Sequence, residues 1–393
     1  MERFKTVVML NGCVFFLMMG IGATVALLPA KVLCLSGSFM EVGLLASAFA
    51  LPFVVFQLPV GWFADRYGFR WFLAAGYACC CLAGLLYAFA GTPALILTGR
   101  LLQGMGEVPV WALAPAMLSA LYEDGRGTAT GVYNASIHLG LTAGAVLGIA
   151  VPEASGGTGA FALLFLGGFC GALVTGMCIQ EPRQAPVLKN SQGSILFLVT
   201  QYRVGGILMG VVLYGWGYGL FLTLIPAVML PAQGPEAISV SVFFVLFYVA
   251  VGLSQILGGR LSDGIGSLRT MLHGILLAAV GMLLASVLTH IWVYVFLALA
   301  AFGLGIFCVA SMVFLGTSLP TDLKGTVSAT FYLFWGLGFF AGPILSGKLA
   351  DSGHFYMGIR CFAALLALEA VWVGSFRFWP SRSGEPVTDF LRE

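Results

Sequence analysis

Charge is what this 393-residue chain has least of. Its 18 Lys and Arg and 16 Asp and Glu make up 9% of the residues, against about 25% in ordinary soluble proteins. A water-facing surface cannot be built from so few charged side chains on a chain this long, which excludes a soluble enzyme. Intrinsic disorder, nucleic-acid binding and a disulfide-stapled secreted module each need a polar, basic or cysteine-framework composition that is missing. A net charge of +2 implies no acidic partner. The nine cysteines (Cys13, Cys34, Cys79, Cys80, Cys81, Cys170, Cys178, Cys308 and Cys361) show no paired metal-ligand spacing and read as small apolar fillers. With four histidines and few carboxylates, no metal cluster or catalytic triad is supported, and neither a metal nor a cofactor is expected. No Gly-x4-Gly-Lys-Ser/Thr phosphate loop occurs, which excludes ATP-driven transport by this chain alone.

What is present is apolar sequence, 60% of the chain, with a mean hydropathy of +1.01. Twelve runs reach the roughly 20 residues needed to cross a bilayer. They cover 7–30, 40–63, 71–91, 93–121, 127–151, 159–179, 203–230, 236–261, 269–289, 291–317, 324–350 and 354–379. The first is too long for a signal peptide and has no convincing cleavage site, and continuous rather than alternating runs exclude a barrel. An all-α integral membrane protein embedded in the lipid bilayer is expected. With the N-terminus inside, fourteen Lys and Arg fall at cytoplasmic ends and loops, and Lys31, Lys348 and Arg360 fall on the other side. That asymmetry predicts both termini in the cytoplasm, with the bacterial cytoplasmic (inner) membrane as the expected location. Small-residue ladders such as Gly140, Gly144 and Gly148 predict close helix packing.

The two halves of the chain repeat at an offset of 198 residues. Gln57, Gly61, Asp65 and Gly68 meet Gln255, Gly259, Asp263 and Gly266, while Gly127, Thr128, Gly140 and Gly144 meet Gly325, Thr326, Gly338 and Gly342. Two pseudo-symmetric six-helix halves follow, residues 1–185 and 186–393, the second beginning in a polar cytoplasmic linker around 180–194.

Four motifs carry a specific resemblance. Gly61-Trp62-Phe63-Ala64-Asp65-Arg66-Tyr67-Gly68-Phe69-Arg70 resembles the G-x-L-A-D-R-x-G-R-K loop of the major facilitator superfamily, with Phe69 at its first basic position. The stretch from Gly259 to Gly266 is similar to the weaker copy of that loop. Arg100, Gln103, Gly104 and Gly106 match the span-four pattern R-x-x-Q-G-x-G. Gly131, Gly140 and Gly144 resemble the span-five antiporter motif, with Ala145 at its proline position, while the span-eleven copy keeps Gly338, Gly342 and Pro343. The resemblance covers essentially the whole chain. It points to the twelve-span drug:proton antiporter type and implies a gating role for Gly61, Asp65, Arg66, Gly68, Arg70 and Asp263. It further implies that Asp65 faces the start of span eleven near Gly325 and Thr326, and that Arg70 reaches Glu123 or Asp124. The alternative for Arg66 and Arg70 is topology anchoring alone.

The ionisable groups inside the apolar runs are Arg100, Glu107, His138 and Glu369. Each is costly in hydrocarbon and needs a partner or a watery cavity. Arg100, Gln103, Glu107 and Trp111 share one face of span four, the helix that lines the central cavity if the resemblance holds. Glu107 is a candidate proton carrier, or else one half of a permanent internal pair with Arg100, or a residue hydrogen-bonded separately to neighbouring helices. Asn134 and His138 share a face of span five, where the histidine is a proton relay or a hydrogen-bonded structural residue. Glu369 falls in span twelve, which the resemblance makes a support helix. Tyr214, Trp216, Tyr218, Phe307, Ser311, Tyr332 and Trp335 are candidates for an aromatic, largely apolar binding surface. The expected function is secondary transport of a small molecule, first as proton-coupled efflux of a lipophilic drug or metabolite, by a chain working as a monomer. The alternatives are a proton symporter or facilitator importing a small organic solute, possibly anionic because of Arg100, and a non-transporting receptor or assembly partner.

Overall fold

The structure is a computed structural model that describes residues 2–121, 126–150, 157–179, 202–236, 239–317 and 324–376. Among the described residues there are thirteen α-helices and no strand. They are α1 (Glu2–Val25), α2 (Leu28–Ser36), α3 (Phe39–Tyr67), α4 (Arg70–Phe89), α5 (Pro93–Leu121), α6 (Arg126–Ala150) and α7 (Thr158–Cys178) in the first half. The second half holds α8 (Tyr202–Leu222), α9 (Val240–Ile265), α10 (Ser267–Ala285), α11 (Ile291–Thr317), α12 (Lys324–Asp351) and α13 (Phe355–Ser375). A helix satisfies its own backbone hydrogen bonds, the condition hydrocarbon imposes on any crossing segment. Ten stretches, with α1 and α2 counted as one, are long and apolar enough to cross a membrane among the described residues. Helices α5 and α6, of 29 and 25 residues, complete the expected twelve. The linker around 180–194 lies outside the described residues.

The repeat seen in the sequence reappears in three dimensions. In the first half α1 packs on α6 and α7, α4 on α5 and α7, and α3 on α5. In the second half α8 packs on α12 and α13, α10 on α11 and α13, and α9 on α11, which is the same network shifted by six spans. Gly68 and Gly266, 198 residues apart, end α3 and α9 with nearly the same backbone, φ 94° ψ 159° and φ 86° ψ 147°. Positive φ at both positions favours glycine. The first and seventh spans also break at corresponding places, between α1 and α2 at Ala26-Leu27 and after α8 at Thr223. Proline follows each break, at Pro29 and Pro226.

Glycine sets how closely the helices approach. Gly140 lies against the carbonyl of Phe15 on α1, and its counterpart Gly338 lies against the carbonyl of Val212 on α8; a Cβ at either position would collide with backbone. The halves meet along two related seams, α3 on α12 and α6 on α9. On the first seam Gly43 faces the Pro343 carbonyl and Gly347 faces the Phe39 carbonyl. These contacts cluster near the start of α3 and the end of α12, away from the face that carries the loop motif.

Candidate functional site

Helical spacing places Arg100, Gln103, Glu107 and Trp111 on one face of α5, and hydrogen bonds join them into a chain. Arg100 donates from Nε to the Leu45 carbonyl at 3.2 Å and from Nη1 to Gln103 Oε1 at 3.1 Å. Its guanidinium also lies over the Phe49 ring, 4.7 Å from the centroid. Gln103 Oε1 accepts a second bond from the Tyr87 hydroxyl at 2.8 Å, and Gln103 Nε2 donates to Glu107 Oε1 at 2.8 Å. Trp111 Nε1 donates to Glu107 Oε2 at 3.0 Å. Arg100, Gln103 and Glu107 are 2%, 0% and 3% exposed, a depth at which an unpaired polar group costs several kcal/mol in principle, roughly 1–3 in mutational data. Gln103 bridges the cation and the carboxylate. Among the described residues, Cys80, Tyr87, Tyr218 and Tyr248 are titratable groups within electrostatic reach of Glu107, as is Arg100.

This column forms one wall of a cavity between the halves, enclosing about 1040 Å³ of atom-free space including its mouth. Seven of the eight residues expected to couple or bind line it: Arg100, Gln103, Glu107, Asn134, His138, Tyr218 and Trp335. Trp111, Tyr214 and Tyr332 line it as well. Trp216 does not. It turns from the cavity into the groove beside Gly342 and Gly338, donates from Nε1 to Ser346 Oγ at 3.0 Å, and packs on Phe362. Phe307 is spent on helix packing against Gly210 and Gly274, and Ser311 bonds back to the Cys308 carbonyl. Glu369 also lies off the cavity, with its Oε1 beside Gly210, whose missing side chain makes room for it. Sequence reasoning missed Tyr248, Gln255, Phe49 and Phe53 as wall residues. Tyr248 and Gln255 are seven positions apart, hence on one helical face, and that spacing would have found them. Gln255 on α9 and His138 on α6 line the cavity from opposite halves, and His138 Nδ1 has no hydrogen-bond partner among the described residues.

The cavity is closed at one end by the α3–α12 seam. Phe49 packs on Phe339 with ring centroids 5.7 Å apart, Phe53 on Trp335 at 5.5 Å, and Ser47 Oγ donates to the Phe340 carbonyl at 2.6 Å. Beyond them Asp351, the last residue of α12, caps the start of α3. Its carboxylate accepts bonds from Ser38 Oγ at 2.9 Å, Phe39 N at 2.7 Å and Met40 N at 3.1 Å. A helix N-terminus is where an anion is favoured.

At the opposite face lies the loop motif. Gly61 has open space around its Cα, Gly68 supplies the positive φ that ends α3, and Arg66 lies over the Tyr67 ring at 5.6 Å. Arg70 Nε donates to the Gly176 carbonyl of α7 at 2.9 Å, with a second bond from Nη2 to the same oxygen, and its guanidinium covers the Trp71 ring. Asp263 is exposed in the last turn of α9. Asp65 falls in the last turn of α3, but its side chain lies outside what is described, as do Glu123, Asp124 and the surroundings of Gly325 and Thr326.

Two repeated halves of membrane-spanning helices around a central cavity define a membrane transporter rather than an enzyme. The comparisons with known proteins agree. The model of the Major Facilitator Superfamily matches residues 10–234 and 207–393, so the chain belongs to that family. It is 25% identical over 382 residues to an MFS-type transporter of Methanocaldococcus jannaschii, covering 92% of this chain and 94% of that one. It is 24% identical over 377 residues to a probable galactarate/D-glucarate transporter of Escherichia coli, covering 84% of this chain and 83% of that one. Among solved structures it resembles a bacterial homolog of the human lysosomal transporter Spinster, in an inward-facing and unoccupied conformation. That match has a TM-score of 0.76 at 15% identity, over 95% of this chain and 96% of the other.

Proposed function

We propose that this transporter is a proton-coupled exporter of lipophilic small molecules, acting as a monomer by alternating access of residues 1–185 and 186–393. The observation that carries the reading is Glu107, a buried carboxyl held by two neutral donors on the wall of an aromatic cavity between the halves. A carboxyl so placed takes a proton when the cavity faces one side and gives it up when it faces the other, which links proton movement to the exchange of halves. Both termini lie in the cytoplasm in this proposal, following the excess of Lys and Arg on that face, and the membrane is the bacterial inner membrane. The seam capped by Asp351 is then the outer gate, drawn shut, and the cavity opens inward. The loop residues Asp65, Arg66 and Arg70, with Asp263 in the second half, form the inner gate of the opposite state.

A rival reading, import of a small organic anion, draws on the name of the galactarate/D-glucarate relative. Against it stands Arg100, whose guanidinium already serves Leu45, Gln103 and the Phe49 ring.

The test is a screen for movement of lipophilic solutes and small acids in inverted membrane vesicles with an acid interior. The proposal expects lipophilic solutes to accumulate inside only while the gradient lasts, and not with Glu107→Gln. Accumulation that ignores the gradient, or acids moving in their place, contradicts it.

A further inference from the structure

We infer that Glu369 is a second proton-binding site, separate from the transport cavity, whose bound proton clasps α13 to α8 and is released as the pH turns alkaline. That proton is resident rather than transported, and its site does not depend on Glu107. Glu369 is 7% exposed within α13 and lies off the cavity, and its Oε1 sits 2.8 Å from where a Cβ on Gly210 of α8 would stand. Phe307 of α11 fills the other side of the same hollow, and Trp372 and Phe376 continue the contact further along α13, over Gly206. The carboxyl is enclosed by rings and bare backbone, where a charge without a partner is costly.

This hollow satisfies an acid better than its anion. Oε1 has no hydrogen-bond partner among the described residues. A carboxylate only accepts, and the N–H groups of a mid-helix backbone are spent on carbonyls four residues earlier. The Gly210 N–H, the backbone donor turned toward Glu369, belongs to that ladder in the middle of α8. Helix carbonyls keep a second lone pair, and a glycine leaves them uncovered. The hydroxyl of a protonated Glu369 can therefore donate where its carboxylate finds no free donor.

No charged neighbour substitutes for the proton. On α8, Arg203 donates to the Phe376 carbonyl at 3.5 Å, while Tyr214 and Tyr218 line the cavity. Cys308 on α11 and Tyr332 on α12 line it as well, and Arg269 and His273 on α10 are exposed. Lys348 and Asp351 stand at the far end of α12, and Arg360 on α13 itself donates to Ser286 Oγ. None of these acts on the Glu369 carboxyl. Losing the proton leaves a charge this contact cannot hold, so α13 must part from α8 to admit water. Tyr214 and Tyr218 belong to the same α8, so the clasp steadies one wall of the cavity from behind.

The experiment combines infrared spectroscopy with thermal unfolding of the purified full chain in lipid nanodiscs, at mildly acidic and at alkaline pH. Wild type is compared with Glu369→Gln, Glu369→Asp and Glu107→Gln, each checked for fold by size exclusion. At mildly acidic pH, wild type is expected to show the carbonyl stretch of a protonated carboxyl. Part of that band should vanish in Glu369→Gln, shift in Glu369→Asp and persist in Glu107→Gln. Alkaline pH should remove the same part and lower the wild-type melting temperature by a few degrees more than that of Glu369→Gln, whose side chain stays neutral. The aspartate variant carries the spectroscopic test should the glutamine variant not fold. A band that neither Glu369 variant alters, or melting temperatures of wild type and Glu369→Gln that fall equally with pH, overturns the inference. Neither readout involves a solute or a gradient, so its failure and the failure of the transport reading are separate results.

Discussion

Arg100 and Glu107 are oppositely charged neighbours on one helix, yet their roles diverge because of what each one touches. Arg100 satisfies the Leu45 carbonyl and Gln103 Oε1. Arg100→Ala strips a donor from both acceptors and is expected to cost about 1–3 kcal/mol, seen as a lower unfolding temperature in detergent. Arg100→Lys keeps the charge without the planar fork, so it should fall between the two; stability equal to wild type for the alanine variant would remove Arg100 from its structural role. The α5 column was legible in the sequence because residues three and four apart must share a helix face. Trp216 was misplaced for the same geometric reason applied too loosely. Tyr214 and Tyr218, four apart, do face the cavity, while a residue two positions from each points roughly the other way around the helix and meets Gly342. The service that Tyr87 and Leu45 render to the column had no sequence signal, since it comes from neighbouring helices far apart in the chain.

Contacts between elements decide where the structure can give. At Gly338 a methyl group would strike the Val212 carbonyl on α8, whereas Gly264, at the end of α9, has nothing within 4 Å of such a group. Gly338→Ala is expected to destabilise by about 1–3 kcal/mol and Gly264→Ala to leave the melting temperature nearly unchanged, a contrast readable by thermal unfolding. Equal melting temperatures would mean that α12 and α8 are not locked by close approach. Both glycines were visible in the sequence, but only the packing separates a groove from open space. Asp351 carries a second prediction at this scale. Losing its three hydrogen bonds to the start of α3 resembles losing a helix cap, about 1 kcal/mol, or roughly fivefold in the balance between closed and open seams. In a background without native cysteines, Asp351→Ala should therefore raise labelling of Ser47→Cys, now buried at the seam, by an impermeant thiol reagent added on the face that carries Asp351. Unchanged labelling would show that the cap does not hold the seam. The sequence marked Asp65 through its motif and gave no sign of Asp351, because the cap joins residues more than 300 positions apart.

For the molecule as a whole, the repeated halves make one rearrangement serve both faces. The paired seams, α3 with α12 and α6 with α9, are exchanged by the pseudo-symmetry, and in the proposed alternating-access cycle separation at one face goes with approach at the other. This level of organisation was the most legible from sequence: the 198-residue offset predicted two pseudo-symmetric halves, and the packing network and the glycine ends of α3 and α9 match between them. Coupling is the property that distinguishes a driven transporter from a passive one, and the account places it at Glu107. The most direct test is proton flux in proteoliposomes holding the purified chain and an internal pH dye, with a transported lipophilic solute added outside. Wild-type protein should move protons on addition of the solute and Glu107→Gln should not, while still exchanging labelled for unlabelled solute. Solute transport without proton movement in the wild type, or proton movement undiminished in the variant, would contradict the account.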